Sequence, residues 1–213
     1  MGKFRVDVKK GNEIIEVQLA GAYRLKPKVS ALLSMGYKVK LVIPVQAILD
    51  TPSGTIHRNQ ASRIFRELAG LAEIFPSQGL EVLILYLREK RTWSKVKRGH
   101  KYFVPAGKFK RDTVPVEIIN TISLKRGEDL LKLLKLPSEQ FTSYQLAKIN
   151  SFSRTTGSRA CYVLRRAGVI KIMGKRRRAY VYAVASPQAN SDKSRSPIFR
   201  RSSLGTLNLM IIC

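Results

Sequence analysis

The spacing of apolar positions along the first ninety residues switches between the period of a strand and that of a helix. Two short apolar runs flank "KKGN" within "FRVDVKKGNEIIEVQL" (4–19) and predict an opening β-hairpin. Leu25, Val29, Leu32 and Leu33 then recur at helical spacing and stop at Gly36. "YKVKLVIPV" (37–45) alternates Lys38 and Lys40 against Val39 and Leu41, as a strand does, and a polar turn region with Pro52 and Gly54 follows. Ile64, Phe65, Leu68, Leu71, Ala72 and Phe75 form one stripe of a helix that ends at Pro76. "LEVLILYLRE" (80–89) is almost continuously apolar, which predicts a strand covered on both faces. The order β-β-α-β-α-β predicts an α/β (α+β) fold, a mixed sheet packed by helices.

From 91 to 120 the chain is basic and punctuated by Gly99, Pro105, Gly107 and Pro115, so it is expected to be irregular. "RGEDLLKLLKLP" (126–137) predicts a short amphipathic helix. "FTSYQLAKIN" (141–150) predicts another, capped by Thr142. In "SRTTGSRACYVLRRAGV" (153–169) Ala160, Val163, Leu164 and Ala167 mark a core stripe, with Arg159, Tyr162 and Arg166 on the opposite face. Cys161 lies beside the stripe as a small core residue, and Gly168 ends the helix. "VIKIMGKRRRAYVYAV" (169–184) reads as two strands around a tip of four bases, Lys175, Arg176, Arg177 and Arg178. Helix, turn, helix and basic ribbon predict a winged helix-turn-helix whose second helix enters a groove while the wing meets phosphate. The division expected is a core at 1–90, a basic connecting region at 91–136, the winged helix at 137–185 and a disordered tail at 186–213. The tail's apolar ending, "TLNLMIIC", matches nothing before it; a docking segment and an altered reading frame both account for it.

Charge sharpens this picture. The 213 residues hold 40 Lys and Arg against 14 Asp and Glu, a net charge of +26, far more than solubility needs and pointing to a polyanion. Nine bases and no acid lie between Glu89 and Asp112, among them Lys95, Lys97 and Arg98, and ten more lie between Glu139 and Asp192. The two blocks read as phosphate-facing surfaces, or else as solvated basic loops. Cys161 and Cys213 show no paired spacing, and His57 and His100 stand alone, so neither a disulfide framework nor a zinc site is indicated. The longest apolar runs are too short for a bilayer and "MGKFRVDVKK" has no signal-peptide core, which makes the cytoplasm the expected compartment, with no membrane partner.

Against that excess of bases, two of the few acids fall inside the first hairpin. With Gly11-Asn12 as a two-residue turn, Lys10 pairs with Glu13 and Asp7 lies across from Glu16, Cβ atoms roughly 5 Å apart. Gln18 shares that face, while Ile15 and Val17 are expected to point into the core. Facing carboxylates need a cation between them, and oxygen ligands suit Mg²⁺ or Mn²⁺. Alternatively Asp7 and Glu16 are edge acids paired with Arg5, Lys9 or other local bases.

"RVDV" followed by "Glu16-Val17-Gln18" resembles the active-site hairpin of the PD-(D/E)XK nuclease superfamily, with Gln18 where the motif has Lys. The resemblance implies a restriction-endonuclease-like core, here without the superfamily's first helix, with Asp7 and Glu16 as ligands of Mg²⁺ or Mn²⁺. Lys26 or Lys28, at the start of the next helix, would then supply the charge that Gln18 lacks. "IIEVQ", "LKPKVSALL", "KLVIPV", "IFREL", "LEVLIL", "YVLRRAGV" and "GKRRRAYVY" are similar to a family of microbial proteins that join an "IEIQT"-type nuclease-like domain to a C-terminal winged helix. The function implied is a metal-dependent DNA endonuclease, and many nucleases of this superfamily act as homodimers. Its competitors are a catalytically inactive DNA-binding regulator on the same fold and a basic structural RNA-binding protein.

Overall fold

The computed structural model describes residues 4–95 and 109–185, with the side chains at 94–95 and 109–111 excepted. The tail from 186, Lys97 and Arg98 lie outside the described residues.

The fold is mixed α+β. β1 (Val8–Lys10) and β2 (Glu13–Val17) form the hairpin, and Lys10 pairs with Glu13, Lys9 with Ile14 and Val8 with Ile15, the register expected from a Gly11-Asn12 turn. Gly11 takes φ 57°, a left-handed conformation that glycine adopts without a Cβ penalty. A 3₁₀ turn (Ala22–Leu25) leads into α1 (Lys26–Ser34), with Pro27 in the first turn where its missing N–H costs nothing. β3 (Lys38–Thr51) runs parallel to β2 and turns through Gly54 into β4 (Gly54–His57), a short strand unforeseen in the pattern. α2 (Ala61–Leu71) returns the chain to β5 (Leu80–Lys95), parallel to β3, and β6 (Phe109–Leu124) pairs with β5 antiparallel. The sheet order is β1-β2-β3-β5-β6, with β4 on the far end of β3.

Two expectations change here. Residues 91–95 and 109–120 are strand, not irregular chain. Pro115 sits at a register shift in β6, an edge strand, where a missing backbone donor is tolerated. β5 is also covered more fully on one face than the other: Leu80, Val82 and Ile84 are buried, whereas Leu83 and Leu85 are half-buried.

The well-covered face carries Ile14, Val39, Leu41, Ile43, Val45, Val82, Ile84 and Leu124. It shares one core cluster with Val29 and Leu32 of α1 and with Ile64, Phe65, Leu68 and Leu71 of α2. These are the stripes that the helical spacing predicts, and burying them is the main stabilising term of the fold.

The segment at 127–132, expected as an amphipathic helix, is 3₁₀, with Leu130 buried beneath it and Leu134 just after. It leads to α3 (Ser143–Ile149), α4 (Arg154–Arg166) and the ribbon of β7 (Ile170–Arg176) and β8 (Ala179–Val184). Thr142 caps α3 as expected, in a reciprocal box with Gln145, and Ser153 caps α4 by accepting from the Thr156 N–H at 3.2 Å. α4 buries Ala160, Cys161, Val163 and Leu164 in the same cluster as the sheet, and Phe65 of α2 meets Phe152 with ring centroids 5.8 Å apart. Gly127 and Gly157 permit close crossings: an added Cβ would lie 2.4 Å from the Ala167 carbonyl oxygen and 2.6 Å from that of Ser143. Among the described residues no helix is long and apolar enough to cross a membrane.

Candidate functional site

Two places carry the residues singled out by sequence: the hairpin end around Glu16, and the outer surface of α4 with the ribbon tip.

At the hairpin, Asp7 stands one residue before β1, across from Glu16 as expected. Its Oδ2 accepts the Val17 N–H at 2.8 Å, and its own N–H points at Glu16 Oε1 at 3.4 Å. Asp7 thus closes the open end of the hairpin with a side chain in place of a ladder bond. The facing of β2 is the reverse of the expectation: Ile14 and Glu16 are buried, and Val17 is 49% exposed. β2 is apolar on both faces, so its pattern could not choose between them; the covered face of β3, through Val39 and Leu41, decides.

Glu16 is therefore a buried acid, 3% exposed, and a buried carboxylate is costly unless paired. Its partner is Lys28 of α1, whose Nζ lies 2.6 Å from Oε1 and also donates to the Arg5 carbonyl. Lys26, the other candidate at that helix start, turns away to Glu73. Gln18 donates its side-chain amide to the Ala20 carbonyl and its backbone N–H to Val42.

This donor set was weighed as a site for Mg²⁺ or Mn²⁺. Such ions take carboxylate and carbonyl oxygens with several waters, usually alongside substrate phosphate. Here an ammonium already stands on Glu16 Oε1, the Asp7 oxygen is engaged by a backbone N–H, and the Gln18 amide faces its own loop. Among the described residues no group of three or more His, Cys, Asp or Glu converges. As arranged, Lys28 supplies at Glu16 the positive charge that a divalent cation would bring.

The remaining acids of the sheet body are largely neutralised in the same way. Lys40 bridges Glu13 at 3.0 Å and Glu81 at 3.8 Å; its hydrogen bond holds the Glu13 carboxyl below its ordinary range while Glu13 raises the lysine. The guanidinium of Arg88, 2.8 Å from Asp50, lowers that carboxyl, with help from Thr55. Asp129 is held down to about 2, first by Lys132 at 2.7 Å and further by the backbone N–H groups of Arg126 and Lys125.

The C-terminal elements are built differently. α4 turns Arg166 and Tyr162 to solvent, with Arg159 partly covered, and helical spacing adds Arg154, Ser158 and Arg165 to that outer surface. Arg154 lies over the Tyr144 ring at 5.5 Å and Arg165 over Tyr162 at 6.0 Å, so flat aromatic faces orient both guanidinium groups. Arg154 and Arg165 were not singled out by sequence, although the line 154, 158, 162, 165 was legible. At the ribbon tip Arg177 takes φ 55°, Arg176 pairs with Ala179 and Lys175 lies 5.0 Å over Tyr180, so all four bases of the tip are exposed on a fixed turn. Among the described residues no acid forms a salt bridge with Arg159, Arg165, Lys175, Arg176, Arg177 or Arg178; Arg166 feels Glu73 at longer range. Cys161 is fully buried and its thiol is pushed up to about 12 by burial, which suits a core residue and not a nucleophile. Lys95 of β5 is placed by its backbone alone, and Lys97 and Arg98 fall outside the described residues.

No curated protein and no solved structure matches the chain. A family model does, over residues 1–125, ending one residue after β6 and leaving α3, α4 and the ribbon outside it. By that match over more than half of its length, the chain belongs to the family described as Domain of unknown function (DUF8091).

Proposed function

We propose that this protein binds duplex DNA through residues 141–185, acting as a winged helix, and that the Asp7–Glu16 hairpin of a nuclease-like core serves as a structural lock closed by Lys28. α4 would lie in the major groove with Arg159, Tyr162 and Arg166 toward it, while Lys175 to Arg178 meet backbone phosphate. One observation carries the reading. Most acids of the sheet body have lysine or arginine partners, whereas the bases of α4 and the ribbon tip are left for an anion from outside. A phosphate backbone supplies such charge at regular spacing.

A second reading, metal-dependent phosphodiester hydrolysis at Asp7, Glu16 and Lys28, has one observation in its favour: Lys28 reaches Glu16 from α1 and takes the place of the lysine missing at Gln18. The experiment is a duplex-binding and cleavage assay in EDTA, Mg²⁺ and Mn²⁺, with Glu16→Gln alongside. The DNA-binding reading expects affinity no higher in Mg²⁺ or Mn²⁺ than in EDTA, and intact DNA in all three conditions. Cutting that needs metal and is lost in Glu16→Gln would replace it with the second reading.

A further inference from the structure

The arm formed by β5 and β6 carries a second surface of different chemistry. Pairing between β5 and β3 ends at Asp50 and Lys90, and from there to Lys95 β5 pairs only with β6. The register along this arm is unbroken from Glu89–Pro115 to Lys95–Phe109, so alternate residues share a face. By register one face takes Arg91 and Trp93 on β5, with Thr113 opposite Arg91. The acid of this stretch, Asp112, is paired with Thr92 and belongs to the other face. Glu89, at the base of the arm, is engaged by the Gln46 amide.

Trp93 is the chain's single tryptophan and is 55% exposed, although tryptophan is usually among the more covered residues. Arg91, two residues before it, is half-buried, and among the described residues its buried Nε has no hydrogen-bond partner, a donor that a protein normally satisfies. An indole held open beside an arginine whose Nε has no partner among the described residues matches what an unpaired nucleotide needs: a flat platform for the base and a cation for the phosphate. A duplex hides its base faces and cannot use the platform. We propose that this face of the β5–β6 arm binds a single DNA strand, with a base stacked on Trp93 and phosphate held by Arg91. The site extends the DNA-binding reading but stands on other residues than α4 and the ribbon.

The test uses the full chain and the emission of its one tryptophan, excited where tyrosine does not absorb. The probes are an oligothymidine of about eight nucleotides, an abasic strand of equal length and a duplex. The oligothymidine is expected to quench Trp93, and the other two to leave it largely unchanged. With a labelled oligothymidine, Trp93→Leu should lose roughly ten-fold in affinity while Trp93→Phe keeps most of it. Arg91→Gln should flatten the salt dependence of strand binding. Equal quenching by the abasic strand or the duplex would overturn the stacking assignment, as would a Trp93→Leu variant that binds the strand as well as wild type. Absent quenching with duplex still bound would overturn this inference alone. Loss of binding to every probe would overturn the DNA-binding reading with it.

Discussion

Replacing Lys28 with methionine isolates what the hairpin lock contributes. The substitution keeps the methylene packing of α1 but strips the cation from Glu16, whose side chain is 5% exposed. The remaining contact to that carboxylate is the Asp7 N–H at 3.4 Å, too long to stand in for an ammonium at 2.6 Å. Breaking a buried pair from one side costs about 3–5 kcal/mol. Lys28 keeps 15% of its own surface, so the low end applies, about 3 kcal/mol. For a domain of this size that corresponds to a melting temperature lowered by roughly 6–12 °C. Glu16→Gln/Lys28→Met leaves a neutral pair of similar shape, and its cost should fall short of the summed single costs by at least about 1 kcal/mol. Urea titrations of the four proteins give the cycle directly. Magnesium supplies the opposing arm: a site filled at one hundred times its Kd would add about 2.7 kcal/mol, whereas an ion pair predicts no gain over an ionic-strength control. Near-neutral Lys28→Met, together with a magnesium-dependent rise in the wild-type melting temperature, would refute the lock.

Three further outcomes follow from the packing. Gly157→Ala would push a Cβ to 2.6 Å from the Ser143 carbonyl oxygen and 2.7 Å from Ala147 Cβ, so it should separate α3 from α4, cost about 1–3 kcal/mol and weaken duplex binding; a variant with wild-type urea midpoint and affinity would contradict that crossing. Asp129, lowered from 3.8 to about 2 when folded, contributes stability that is present above pH 3.8 and lost as pH falls toward 2; Asp129→Asn should flatten the acid limb of a stability-against-pH curve, and an unchanged limb would count against it. Cys161, raised from 9.0 to about 12, favours the folded state below pH 9 and ceases to do so by pH 12; in a Cys213→Ser background its thiol should react with a disulfide reagent only on unfolding, and prompt native labelling would contradict its burial.

What was legible in the sequence was whatever local spacing fixes. A Gly-Asn turn sets the register of a two-residue hairpin, so the pairing of Lys10 with Glu13 followed from four letters. The stripes of α2 and α4 were readable because each helix is apolar on one side only. The ribbon tip was readable because four consecutive bases end β7 and form the turn into β8. What escaped depends on neighbours distant in the chain. Ile14, Ile15 and Val17 make β2 apolar on both faces, so only β3 and the helices could say that Glu16 goes inside. Lys28 and Lys26 look alike two residues apart, yet one meets Glu16 and the other Glu73. Pro115 reads as a loop signal, but a sheet edge forgives a proline that a central strand would not.

The salt dependence of duplex binding tests the central claim most directly. Each phosphate held by a lysine or arginine contributes about 0.9 to the slope of log K against log salt on duplex DNA. The variant Lys175→Gln/Arg176→Gln/Arg177→Asn/Arg178→Gln puts asparagine, which tolerates the left-handed conformation, in place of Arg177 and removes the tip's charge. The account predicts weaker binding and a slope shallower by roughly 2–4 than in the wild type. Wild-type affinity and an unchanged slope in that variant would contradict it.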